Sequence, residues 1–78
     1  MFANNLKRIR KEKGYTQALL GFQIGKTQQI ISWYESGKVP PSIYVLEDIA
    51  RVLDVSATDL ISTEDNKHNK SYRVNSGI

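Results

Sequence analysis

Two adjacent amides, Gln28 and Gln29, directly follow Thr27, and the pair Ser36-Gly37 closes the segment they open. A glutamine side chain presents a donor beside an acceptor, the pattern that matches the major-groove edge of adenine in duplex DNA. With Thr27 as the N-cap, both amides project from the first turn of a helix. The plainer reading, soluble residues at a helix start, is equally open at this point. Other reactive groups do not assemble into a set. The chain has no cysteine and one histidine, His68, so neither a thiolate metal site nor a nucleophile with its base can be built. Glu47 and Asp48 are neighbours on a helical pattern and point in different directions. The expectation is a binding protein and not an enzyme, with no cofactor and no metal.

A binding role needs a scaffold, and 78 residues suffice for one small domain with one modest core. The absence of cysteine removes any disulfide framework and points to a reducing compartment. No apolar run approaches the roughly 18 residues of a membrane span, so the expected location is cytoplasmic. Charge is distributed unevenly. Residues 1–38 carry seven cations (Lys7, Arg8, Arg10, Lys11, Lys13, Lys26, Lys38) against Glu12 and Glu35. Residues 39–65 carry only Arg51 against Glu47, Asp48, Asp54, Asp59, Glu64 and Asp65. Such a bipolar domain would turn its basic end toward a polyanion. Ordinary solvated surface gives the same count, so charge alone does not choose.

The elements that must hold the amides read as five short helices. Leu6 and Ile9 lie among strong helix formers from Asn4 to Lys13, and Gly14 offers a left-handed cap. Thr16 caps a second helix in which Leu20 and Ile24 share a face before Gly25. The third spans residues 27–35, with Ile31 and Tyr34 inward; only Gly25 and Lys26 separate it from the second, so the two must cross steeply. Spacing alone fits a generic helical hairpin as well. Val39-Pro40-Pro41 is a stiff connector, and Ser42 caps a fourth helix whose inward stripe is Ile43, Leu46, Ile49, Ala50 and Leu53. Ser56 to Asp59 form a capping box for a last short helix. Residues 1–62 are thus expected to form the domain, and residues 63–78 a polar tail that is disordered or ordered only by a partner.

In their order, Leu6, Ile9, Arg10, Gly14, Thr16-Gln17, Leu20, Ile24-Gly25, Thr27, Ile31, Tyr34-Glu35, Gly37-Lys38, Pro41-Ser42, Leu46, Ile49-Ala50, Leu53, Val55 and Leu60 resemble the Cro and phage-repressor type of helix-turn-helix domain, the XRE-like group. The resemblance covers about residues 4 to 61. It implies an all-α, five-helix fold whose third helix lies in the major groove and whose second crosses the groove's mouth. Gln17 falls where such domains hydrogen-bond a backbone phosphate, and Thr27-Gln28-Gln29 where paired glutamines read bases. Ser36 and Lys38 match a loop that touches phosphate. With Lys26, Ser32 and Trp33 they make up the expected DNA-facing set. Arg10 and Glu35 match a pair that joins helix 1 to the end of helix 3.

Three positions depart from the family pattern. Lys26 replaces a small apolar residue in the turn, Gly21 replaces the usual alanine where helix 2 nears helix 3, and Trp33 replaces a polar or basic residue facing the groove. Trp33 either flanks the reading face or packs on helix 4 or the Val39-Pro40 loop, and Ile30 is expected to pack. Leu19 and Phe22 are expected to pack with Phe2 and the N-terminal residues, the other possibility being a contact patch for another protein. The expected function is a sequence-specific transcriptional regulator, a repressor in preference to an activator. Its expected partners are a palindromic duplex and a second copy of the chain, the two copies meeting around Val55 to Ile61. The competing class is an antitoxin-like protein-binding module with secondary DNA binding, resting on Leu19, Phe22, helix 5 and the tail.

Overall fold

Four hydroxyl side chains decide where helices begin. The computed structural model describes residues 2–62, and within them α1 (Phe2–Glu12), α2 (Gln17–Gln23), α3 (Gln28–Ser36), α4 (Ile43–Leu53) and α5 (Ala57–Ile61) follow in order. Thr16, Thr27, Ser42 and Ser56 each stand in extended backbone just before α2, α3, α4 and α5. Each side-chain oxygen accepts from the N–H three residues on, at 3.0, 3.2, 3.1 and 3.2 Å respectively. One otherwise unpaired donor per helix is thereby satisfied, a contact that contributes about 1 kcal/mol. Asp59 completes the capping box by accepting from the Ser56 N–H at 3.2 Å.

Helices α1 to α4 also end alike. Past each last turn a residue enters the left-handed region, and two crossed backbone hydrogen bonds close the end. The bonds run from Tyr15 N–H to Arg10 O and Gly14 N–H to Lys11 O; from Lys26 to Gly21 and Gly25 to Phe22; from Lys38 to Trp33 and Gly37 to Tyr34; and from Val55 to Ala50 and Asp54 to Arg51. Three of the left-handed positions are glycines, whereas Asp54 takes φ 61° with a side chain attached.

Packing then follows the apolar spacing. Leu6, Ile9, Leu20, Ile31, Tyr34, Ile49, Ala50, Leu53 and Leu60 form one buried cluster, with Ile24, Ile30, Leu46 and Val55 half-buried against it. Helix α3 runs through the centre, packed on both α1 and α2, while α5 closes against α1 and α4. Burial raises the Tyr34 hydroxyl above its ordinary pKa of 10.0, so the phenol is neutral at physiological pH.

The structure moves some expected contacts. Ile43, placed in the inward stripe of α4 by its spacing, is 62% exposed because it is the first helical residue and precedes the turn that meets the core. Phe2 meets Tyr34 edge-on, with ring centroids 6.4 Å apart, because α1 lies against α3 and α5. Phe22 therefore does not reach it and stays 77% exposed, with Leu19 exposed beside it. The expectation for residues 63–78 lies outside the described residues.

Asn5 was not singled out by the sequence, yet it fastens the two ends of the domain. It is buried, and its Nδ2 donates to the Leu60 and Ser62 carbonyls at 3.0 and 2.5 Å. The C-terminal end of α5 thus gains partners that its own helix cannot supply. The available signal was a polar side chain four residues before Ile9, on the buried face of α1.

Candidate nucleic-acid interface

The turn between α2 and α3 is closed at backbone level. A Cβ built on Gly21 would lie 2.9 Å from the carbonyl carbon and oxygen of Thr27 and 3.2 Å from the Lys26 oxygen. Glycine therefore does more here than tolerate a close contact: α2 meets the start of α3 with no room for a methyl group. Lys26 sits in that turn with its N–H donated to Gly21 O at 2.7 Å and its side chain exposed.

The first turn of α3 leaves its amides outward. Gln28 and Gln29 are both exposed, immediately after Thr27, whose hydroxyl is taken up by the cap. Ser32 and Trp33, one turn further on, are half-buried. At the far end the Ser36 hydroxyl donates to the Trp33 carbonyl at 3.1 Å. Lys38 extends its ammonium over the Trp33 ring, 5.5 Å from the centroid.

Beneath this surface a line of polar side chains connects three helices. Arg10 Nε and Nη2 donate to the two Glu35 oxygens at 2.6 and 3.1 Å, and Nη1 donates to the Tyr15 carbonyl at 2.7 Å. The paired side chains are only 8% and 4% exposed. A guanidinium committed on all three nitrogens in this way has its strongest partners inside the protein. Gln17 Nε2 donates to Glu35 Oε1 at 3.1 Å, and Gln28 Nε2 approaches Gln17 Oε1 at 3.5 Å, the long limit of such a bond. Gln17 therefore stands between the buried carboxylate and the exposed amide of Gln28.

Exposed charge on and beside α4 and α5 is mainly acidic. Glu47, Asp54 and Asp59 are exposed on or beside α4 and α5, and Arg51 pairs with Asp48 at 2.9 Å. Of the expected self-contact surface, Leu60 is fully buried in its own core, Val55 and Ala57 are half-buried, and Ile61 is exposed. Among the described residues no group of three His, Cys, Asp or Glu could hold a metal ion, and no helix is long and apolar enough to cross a membrane.

Residues 6–60 match the helix-turn-helix family, and the chain belongs to it. It is 37% identical over 67 residues to the uncharacterized HTH-type transcriptional regulator YqaE of Bacillus subtilis, covering 86% of this chain and 58% of that protein. To the HTH-type transcriptional regulator SinR of the same organism it is 37% identical over 73 residues, covering 92% of this chain and 63% of SinR. The chain thus spans somewhat over half the length of these two relatives. Among solved structures, the restriction-modification controller protein C.AhdI from Aeromonas hydrophila superposes with a TM-score of 0.74 at 27% identity, covering 77% of this chain and 87% of that one. The five helices of the described residues share the fold of that controller protein.

Proposed function

We propose that this chain is a sequence-specific, double-stranded DNA-binding transcriptional regulator that reads the major groove with α3. The observation that carries the reading is the pair of exposed amides, Gln28 and Gln29, on the first turn of a helix whose far end is anchored by a buried ion pair. Bases are read by those two side chains. Gln17, Lys26, Thr27, Ser36 and Lys38 face the sugar-phosphate backbone around them, and Ser32 and Trp33 border the reading turn. Phosphate contacts position the helix and the amides specify the sequence.

One α3 is short, and a single module of this size buries roughly 600–1,000 Å² on DNA. The regulator accordingly acts as a homodimer on inverted half-sites about one helical turn apart. Its exposed acidic end, with Ile61, faces the second copy and away from DNA. It acts in the cytoplasm as a repressor, by occupying DNA, and carries out no catalysis.

The test begins with genomic fragments selected by the protein. Gln28→Ala and Gln29→Ala are expected to weaken binding to the selected duplex by about 1–3 kcal/mol each and to leave binding to random duplex nearly unchanged. Equal loss on both duplexes would remove base readout. Inserting about half a helical turn between half-sites is expected to abolish cooperative binding, and indifference to the spacer would mean independent monomers.

A second reading rests on the exposed Phe22 and Leu19, which share one face of α2. Such a pair suits a protein partner. Capture of a partner from lysate that persists after nuclease treatment and is lost in Phe22→Ser would favour a protein-binding module.

A further inference from the structure

We infer that Trp33 is a positioning residue: its ring holds the Lys38 ammonium in place for a backbone phosphate at the C-terminal end of α3. The inference rests on the DNA-binding reading and assigns Trp33 to backbone contact through Lys38, in place of base contact of its own.

The backbone makes the pairing possible. In the crossed-bond ending of α3, Lys38 N–H donates to the Trp33 carbonyl at 2.9 Å and Gly37 N–H to the Tyr34 carbonyl at 3.3 Å. That motif characteristically brings the residue after the left-handed position against the side chain five residues earlier. Here the two are a cation and an indole, with Nζ 5.5 Å from the ring centroid. Gly37 makes this possible by taking φ 80°.

The chemistry of the partner matters as much as its position. A lysine is among the side chains with most rotamer freedom to lose, so an unrestrained ammonium forfeits much of its phosphate attraction on being ordered. A carboxylate would restrain it and cancel its charge. An aromatic face attracts the cation through its quadrupole and leaves the full positive charge and the N–H donors available. Three ion pairs form among the described residues, and Lys38 belongs to none of them.

The molecule contains its own comparison. Lys26 occupies the same place in the ending of α2, its N–H donated to Gly21 O at 2.7 Å. Five residues before it stands a glycine, so Lys26 has the same backbone setting and no ring. The two lysines bracket α3, one restrained at its side chain and one not.

The salt dependence of binding to a random-sequence duplex reads the number of phosphates neutralised, with a slope of about 0.9 per contact in log K against log salt. Lys38→Gln and Trp33→Leu are each expected to make that slope shallower by up to about 0.9. The double variant should lose no more than either single one. Trp33→Leu combined with Lys26→Gln should lose roughly twice as much, and Trp33→Phe, which keeps a ring face, should restore most of the slope. An unchanged slope in Trp33→Leu, or losses that add in the Trp33/Lys38 double variant, would overturn the inference while leaving DNA binding intact. No binding of the wild type to any duplex would instead remove the reading on which it rests. A measurement without DNA guards against a variant that fails to fold: in the wild-type protein the Lys38 side-chain protons are expected upfield of other lysines through the indole ring current. Random-coil positions for those protons would also overturn it.

Discussion

The two ends of α3 are built on opposite plans. At its C-terminal end Glu35 is buried against Arg10, Gly37 closes two crossed backbone bonds, and Lys38 lies over Trp33. At its N-terminal end the backbone is capped by Thr27 and pressed against Gly21, but Gln28 and Gln29 are exposed, and of their side chains only that of Gln28 makes a hydrogen bond, to Gln17 at 3.5 Å. On the proposed function, the difference separates two tasks along one short helix, orientation and recognition. Orientation needs groups that cannot move, and they are placed where they meet the protein's own core. Base readout, as proposed, needs donors and acceptors open to a partner, and here Gln28 and Gln29 are exposed with a single long bond, from Gln28 to Gln17, drawing on them.

Removing the fixed end should have the largest effect. Arg10→Met or Glu35→Gln leaves its partner buried without an opposite charge, and each is expected to lower stability by about 3–5 kcal/mol in a denaturant melt. The double variant should lose less than the sum of the two, and additive losses would mean that the pair does not act as a unit.

Tightness at the start of α3 is probed by Gly21→Ala. Helix propensity favours alanine by about 1 kcal/mol, but the added methyl group meets the Thr27 backbone at 2.9 Å. Overpacking against main chain typically costs about 1–3 kcal/mol, so net destabilisation is expected in thermal melts. An alanine variant as stable as the wild type would show that α2 and α3 separate easily.

The smallest effect on stability is expected at the first turn of α3. Gln28→Ala and Gln29→Ala are expected to change stability by less than about 0.5 kcal/mol, because the side chains are exposed. A loss much larger than that from Gln28→Ala would place structural weight on its long contact with Gln17 and blur the division between the two ends.

Much of this was legible in the chain itself, because caps and stops are local. Thr16, Thr27, Ser42 and Ser56, with Gly14, Gly25 and Gly37, announce helix limits through chemistry that acts within a few residues. What was not legible depended on distance or on the order of packing. The acceptors of Asn5 lie 55 and 57 residues away. The expectation that Phe22 would meet Phe2 failed because periodicity gives a helix its faces and not its neighbours. Gly21 was recognised as a place of close approach, but that α2 and α3 leave no space for a methyl group is a property of two backbones together. The Trp33–Lys38 pairing crosses a helix end, where counting by helical turns no longer applies.

The bond from Asn5 to the end of α5 has a kinetic consequence. Almost every other boundary in the domain is set by contacts a few residues apart, which a chain forms quickly. Joining α1 to α5 closes a loop of more than fifty residues, and Asn5 is the polar part of that closure. That step is expected late, after α2 and α3 have packed together. Asn5→Ala should accordingly accelerate unfolding while leaving the refolding rate nearly unchanged in stopped-flow measurements, since a contact absent from the transition state affects only the escape from the native state.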